Sequence, residues 1–189
     1  MFPEKVLSTK PVIGAILAPK NQHSKDGLID YDYGPIAIND LSKGLMCKYW
    51  RGFVKEGDLY FEADDVKPFV VTHVGECDHI SITFDQNARP CVAYANMNSG
   101  KLFWFDPVEN RFNTLDLGAT KTPHVCLDDK RDFNIQNSDI VLVYINGSEV
   151  YTKLQRDRFT VAYAMGPTGG TKITAFGMSS ENRMQIETQ

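Results

Sequence analysis

Between residues 79 and 165 the chain alternates apolar and polar positions in short runs separated by turn residues, a period of two that predicts strands and not helices. Ile80, Ile82 and Phe84 alternate with Ser81 and Thr83, a turn follows over 85–90, and further runs cover 91–95 and 101–105. Asp106, Pro107, Val108, Glu109 and Asn110 cannot continue a ladder, so they close a hairpin into a fourth run over 111–117. The same order then recurs: a run over 124–127, a longer turn over 128–139, and runs over 140–145, 149–154 and 158–163. Asn146 followed by Gly147 predicts a tight hairpin turn with positive φ at both central residues. The pairs Phe84–Asp85 and Leu127–Asp128 stand at matching points 43 positions apart, a spacing that fits four-stranded repeat units.

Half of this pattern recurs at each side. Runs over 172–178 and 183–187 resemble the first two strands of a unit, and runs over 58–63 and 67–74 resemble the last two, with a further strand over 46–54 beside them. Complementary half-units predict closure, because pairing the two ends removes exposed sheet edges. The expected fold is therefore all-β: about three four-stranded antiparallel meanders in a propeller-like or prism-like arrangement, closed by pairing of the N- and C-terminal halves. In that closure 183–187 pairs with strands from 49–74 and buries Met184 and Ile186 against Phe61 and Phe69.

Residues 1–45 read as an extended N-terminal docking arm, and 46–189 as the all-β repeat domain. Pro3, Pro11 and Pro19, the polar stretch 21–26, and Asp30, Tyr31, Asp32, Tyr33, Gly34 and Pro35 describe extended chain. Val12, Ile13, Ile16 and Leu17 are too apolar to stay comfortably in water, so the arm packs on this domain or on a neighbour. Tyr31, Tyr33, Tyr49 and Trp50 have apolar bodies with polar tips, which suit an interface. The docking set is Ile13, Ile16, Leu17, Tyr31, Tyr33 and Trp50.

Composition narrows the function. The 189 residues have 42% hydrophobic and 23% charged side chains, enough apolar surface for a packed core. With 20 Lys plus Arg against 24 Asp plus Glu, the net charge is −4, so no global positive field draws the chain to nucleic acid or anionic lipid. No apolar run approaches the roughly 20 residues of a membrane span, and no secretory signal is visible at the start, which predicts maturation in a cytoplasm. Cys47, Cys77, Cys91 and Cys126 are too scattered for a disulfide framework and are expected to be reduced.

Catalytic and metal chemistry finds little support. The cluster 128–132 has three carboxylates but lacks the spacing, the glycine and the distal Glu of a calcium loop, and Lys130 and Arg131 neutralise it. His73, Cys77 and His79 lie within seven residues but have no evident fourth zinc ligand, and His124 stands alone. No nucleophile elbow is present, and 166–170 reads as a connector, not a phosphate loop. The expectation is no enzyme, no cofactor and no metal. Trp104 lies between Phe103 and Phe105, so alternation makes both faces of its strand apolar. That favours burial between sheets; the alternative is a carbohydrate-binding module in which Trp104, Tyr94 or Trp50 stacks on host surface glycans. An envelope-directed glycosidase would need an acidic pair facing a groove.

Several strings resemble a known group. They are Phe84 to Pro90 running into Val92, Ala93 and Tyr94; Leu127 to Arg131; Asp139 to Tyr144; Gln155 to Phe159; and Gly177, Met178 with Asn182 to Gln185. Together they resemble small structural proteins encoded with the tail genes of tailed bacteriophages, over roughly residues 75–189. The second unit departs from that pattern at Phe133, where a proline is expected. The resemblance implies a virion component assembled into the tail in the host cytoplasm, present in multiple copies, with other tail proteins as partners and a role in assembly or host adsorption.

Overall fold

The computed structural model describes residues 22–24, 27–35, 47–63, 66–85, 87, 89–96, 99–128, 138–178 and 183–189. Among these, the chain forms four antiparallel sheets, each a run of consecutive strands. The first holds β1 (Gln22–Ser24), β2 (Gly27–Pro35), β3 (Cys47–Lys55), β4 (Asp58–Ala63) and β5 (Val66–His73). The second holds β6 (His79–Phe84), β7 (Pro90–Asn96), β8 (Ser99–Asp106) and β9 (Arg111–Gly118). The third holds β10 (His124–Leu127), β11 (Ile140–Asn146), β12 (Glu149–Leu154) and β13 (Tyr163–Pro167). The fourth has only β14 (Ile173–Met178) and β15 (Met184–Thr188). The all-β expectation holds, as do the two successive four-stranded units.

Strands β2, β6, β10 and β14 pack on one another in series. They are joined not by backbone ladders but by side chains that accept from the next strand's backbone. Asp30 Oδ2 accepts from the Ile82 N–H at 2.8 Å, Ser81 Oγ from Val125 at 3.2 Å, and Thr122 Oγ1 from Ile173 at 2.7 Å. The His79 ring donates through Nε2 to the Pro123 carbonyl at 2.7 Å. Each junction satisfies a buried polar pair, so these strands can be polar and still sit at the centre.

Three apolar layers fill the spaces between sheets. Leu28, Trp50, Phe61, Ile80, Ile82 and Tyr94 lie between the first and second. Ala93, Leu102, Trp104, Leu142, Tyr144 and Phe159 lie between the second and third. Val141, Val143, Val150, Ile173 and Phe176 lie between the third and the hairpin of β14 and β15, with Met184 and Ile186 packed against them. The inner strands of the middle sheets are covered on both faces, which explains why β6 and β11 are buried nearly throughout, whereas the outer strands β9 and β13 are largely exposed.

The expected closure does not form. β15 pairs with β14, Ile186 opposite Phe176 and Met184 opposite Met178, and not with the 49–74 region. Met184 and Ile186 accordingly cover the third sheet and not Phe61 or Phe69. The first sheet has no vacancy for them because 27–35, expected to be arm, supplies its missing strand: Ile29 lies opposite Phe53 and Tyr33 opposite Tyr49. Alternation in β2 puts Leu28, Asp30 and Asp32 on one face, all buried.

Two smaller expectations also change. Asn146 pairs with Glu149, so the central turn residues are Gly147 and Ser148, and Gly147 alone has positive φ, at 63°. Glycine at the first central position belongs to the other hairpin turn favoured by strand twist. The run expected over 158–163 is instead a loop after a 3-10 turn (Gln155–Asp157), and the fourth strand of that unit starts at Tyr163.

Candidate functional site

The outer strand of the third sheet and the C-terminal hairpin border a shallow, open cleft of about 280 Å³, lined by Val150, Met165, Gly166, Pro167, Met184 and Ile186. Its shape follows from an irregular register between β12 and β13. Val150 lies opposite Gly166 and Tyr151 opposite Ala164, which leaves Met165 as the extra residue of a bulge. A bulge bends the strand and re-aims the side chain. Met165 is 50% exposed, and Val161 and Tyr163 beside it are also exposed. Across the cleft the chain end is tied down. Gln189 donates to the Lys172 carbonyl at 2.9 Å, and its own carbonyl accepts from Thr171 and Lys172. Gly170 permits this approach, since a Cβ there would stand 2.8 Å from the Gln189 nitrogen. The result is a cleft of mixed polar backbone and apolar side chains with one flexible thioether on each side, a surface able to adapt to a partner.

The residues singled out from sequence are placed differently. Ile13, Ile16 and Leu17 lie outside the described residues. Tyr31 is half-buried and Tyr33 lies in β2. Trp50 is buried among Leu59, Phe61 and Phe84 and edge-on to Phe69, so as a docking residue it is corrected to a core residue. Trp104 and Tyr94 are only 4% and 6% exposed, and Trp104 meets Phe159 edge-on at 5.1 Å. Neither ring offers a face to a sugar, because Trp104 is packed between the second and third sheets and Tyr94 between the first and second.

The candidate metal ligands are engaged separately. His73 pairs with Asp58 at 2.7 Å, His79 is buried against Pro123, and burial, with Asp78 adding, pushes the Cys77 thiol up to about 11. Among the described residues no group of three or more His, Cys, Asp or Glu is placed to hold a metal ion. Nor is any helix among them long and apolar enough to cross a membrane.

No family model, curated protein or solved structure matches this chain.

A charged clamp joins the second and third sheets. Arg158 donates through Nε to Asp106 Oδ2 at 3.0 Å, and its Nη2 contacts both Asp106 and Glu109, the latter at 2.9 Å. Asp106 Oδ1 also accepts from the backbone of Val108 and Glu109, which fixes the turn between β8 and β9. Desolvation pushes the Asp106 carboxyl up, but the bonds from Arg158 and the backbone outweigh it and hold it below the usual carboxylate range. Hydrogen bonds from Arg111 and Asn113 hold Glu109 low as well. Asp85 and Asp139 shift the other way, because desolvation exceeds the hydrogen bonds they accept.

The signs give a testable result. A carboxyl held low in the folded state stabilises it at neutral pH, and that contribution disappears as pH falls through the folded value. A carboxyl held high does the reverse, so protonating Asp85 and Asp139 relieves a cost. Arg158→Met is therefore expected to lower the urea midpoint at pH 7, with the gap from wild type shrinking as pH falls below the carboxylate range. A gap that stays constant with pH contradicts this assignment.

The cleft itself was missed by sequence reasoning. The signal was present in Tyr163, Met165 and Pro167, but Phe159 had been counted into the strand and 166–170 read as connector.

Proposed function

We propose that this chain is a virion structural protein of a tailed bacteriophage, a tail component that acts by docking onto other tail proteins, and that its four sheets form a propeller-like array. The observation that carries the docking role is the open cleft between β13 and the hairpin of β14 and β15, with Met165 exposed in its lining and Val161 and Tyr163 exposed nearby. Isolated exposed apolar residues are ordinary, but a set that runs from the loop at Val161 through Tyr163 to Met165 beside a cleft marks an interaction surface. The resemblance to phage tail proteins supports the same reading, because its strings fall on positions that shape the fold. They include the β6–β7 hairpin, strand β11 and the loop that carries Phe159.

Particle incorporation provides the test. Met165→Asp replaces an exposed side chain and should leave the thermal transition unchanged while sharply reducing incorporation into tails. Normal incorporation of that variant overturns docking through this face.

A further inference from the structure

The turn between β11 and β12 brings together the elements of an intramolecular reaction. Asn146 is the one asparagine of the sequence that is followed by glycine. Both residues are exposed at the tip of a hairpin, where Asn146 lies opposite Glu149. Gly147 has no Cβ to shield its amide nitrogen from the neighbouring carboxamide, and at a φ of 63° it already occupies a conformation that only a glycine adopts freely. The end of a ladder opens locally far more often than its buried centre, so the nitrogen can swing toward Asn146 Cγ while 140–145 stay packed. Asn113 is worse placed: its carboxamide donates to Glu109 at 3.2 Å, and Thr114 after it is branched at Cβ.

We infer that Asn146 is a site of spontaneous covalent modification, where the chain converts its own asparagine to aspartate and isoaspartate. The Gly147 nitrogen, after losing its proton to hydroxide, attacks Asn146 Cγ. A new C–N bond forms, the bond to the carboxamide nitrogen breaks, and ammonia leaves with a proton taken from water. The five-membered succinimide then takes up one water. Opening at one carbonyl gives aspartate, and opening at the other gives isoaspartate, in which the backbone runs through the side-chain carbons. The net change is one water consumed and one ammonia released, with nothing oxidised or reduced.

The position of the turn gives the reaction a structural consequence. Either product places a carboxylate opposite Glu149, and like charges facing each other across a ladder repel. Isoaspartate also lengthens the backbone by one carbon just before Gly147. The Ser148 carbonyl accepts from the Thr168 N–H at 2.8 Å, and Glu149 lies opposite Pro167, which lines the cleft. Modification therefore loosens the end of the cleft that β13 forms. This inference stands on the turn alone and not on the docking role proposed above.

The test holds full-length protein in mildly alkaline and in mildly acidic buffer, digests it with trypsin, and fragments the peptide 132–153 by mass spectrometry. The amide-to-acid mass gain is expected at Asn146 ahead of Asn134 and Asn137 in the same peptide, severalfold faster on the alkaline side, with part of the product accepted by an isoaspartate-specific methyltransferase. Asn146→Gln, whose longer side chain would have to close a less favoured six-membered ring, should lose the gain at that position with its thermal transition unchanged. The Thr168 amide should exchange faster in aged wild type than in fresh protein, and equally in aged and fresh Asn146→Gln. An Asn146 that stays intact, or that converts no faster than Asn134 and Asn137, overturns the site. Unchanged exchange at Thr168 in fully converted protein overturns the link to the cleft.

Discussion

A chain lacking residues 1–45 is expected not to fold, although the sequence marks that stretch as a separable arm. The deletion removes β2, which lies between β1 and β3 in the first sheet and packs directly on β6. Leu28 and Ile29 are buried, and full burial of such side chains is worth roughly 1.5–3 kcal/mol each. The Ile82 N–H loses the Asp30 carboxylate and is left in the core without that acceptor, a cost of roughly 1–3 kcal/mol for an unsatisfied buried group. Together with the lost ladder to β3, this approaches the whole stability of an ordinary domain, about 5–15 kcal/mol. Circular dichroism and a urea titration should show no cooperative transition. A soluble truncated chain with the wild-type midpoint contradicts this placement of β2.

Phe159→Ala is expected to cost about 3–5 kcal/mol, the range for removing a buried aromatic side chain. Phe159 is fully buried between the second and third sheets, edge-on to Trp104, yet it comes from a loop and not from a strand. The loop reaches the core through two successive residues at positive φ, Arg158 at 53° and Phe159 at 54°. That backbone is unusual for a bulky residue and is sustained by its surroundings. Lys153 Nζ donates to the Phe159 carbonyl at 2.8 Å, and Asp139 accepts from the Arg156 backbone at 2.9 Å. The strain yields a second expectation: Phe159→Gly should be no more destabilising than Phe159→Ala, because glycine adopts positive φ freely. Urea midpoints in the usual order, with alanine clearly the better tolerated, contradict the strained geometry.

These two sites show what local patterning conveys and what it does not. The runs from β6 to β12 were legible because alternation and turn chemistry act over a few residues, as in Ile80 to Phe84 and in the turn at Gly147. Strand β2 was not legible, since Asp30 and Asp32 look like turn residues until the β6 backbone N–H that donates to Asp30 is known. Phe159 counted as strand because apolarity alone does not distinguish a ladder residue from a plug inserted by a loop. The cleft was hidden for a related reason: exposure of Met165 depends on the irregular register between β12 and β13, which the run of residues alone does not state. The prediction that Trp104 is buried followed from its apolar neighbours on both faces and agrees with its position between sheets.

Amide hydrogen exchange of the full-length protein tests the packed series of sheets most directly. The amides of β6 and β11, whose side chains are buried nearly throughout, should exchange slowly, while those of the largely exposed β13 exchange faster. Amides of β6 or β11 that exchange as fast as those of β13 would contradict the packing of the second and third sheets between their neighbours.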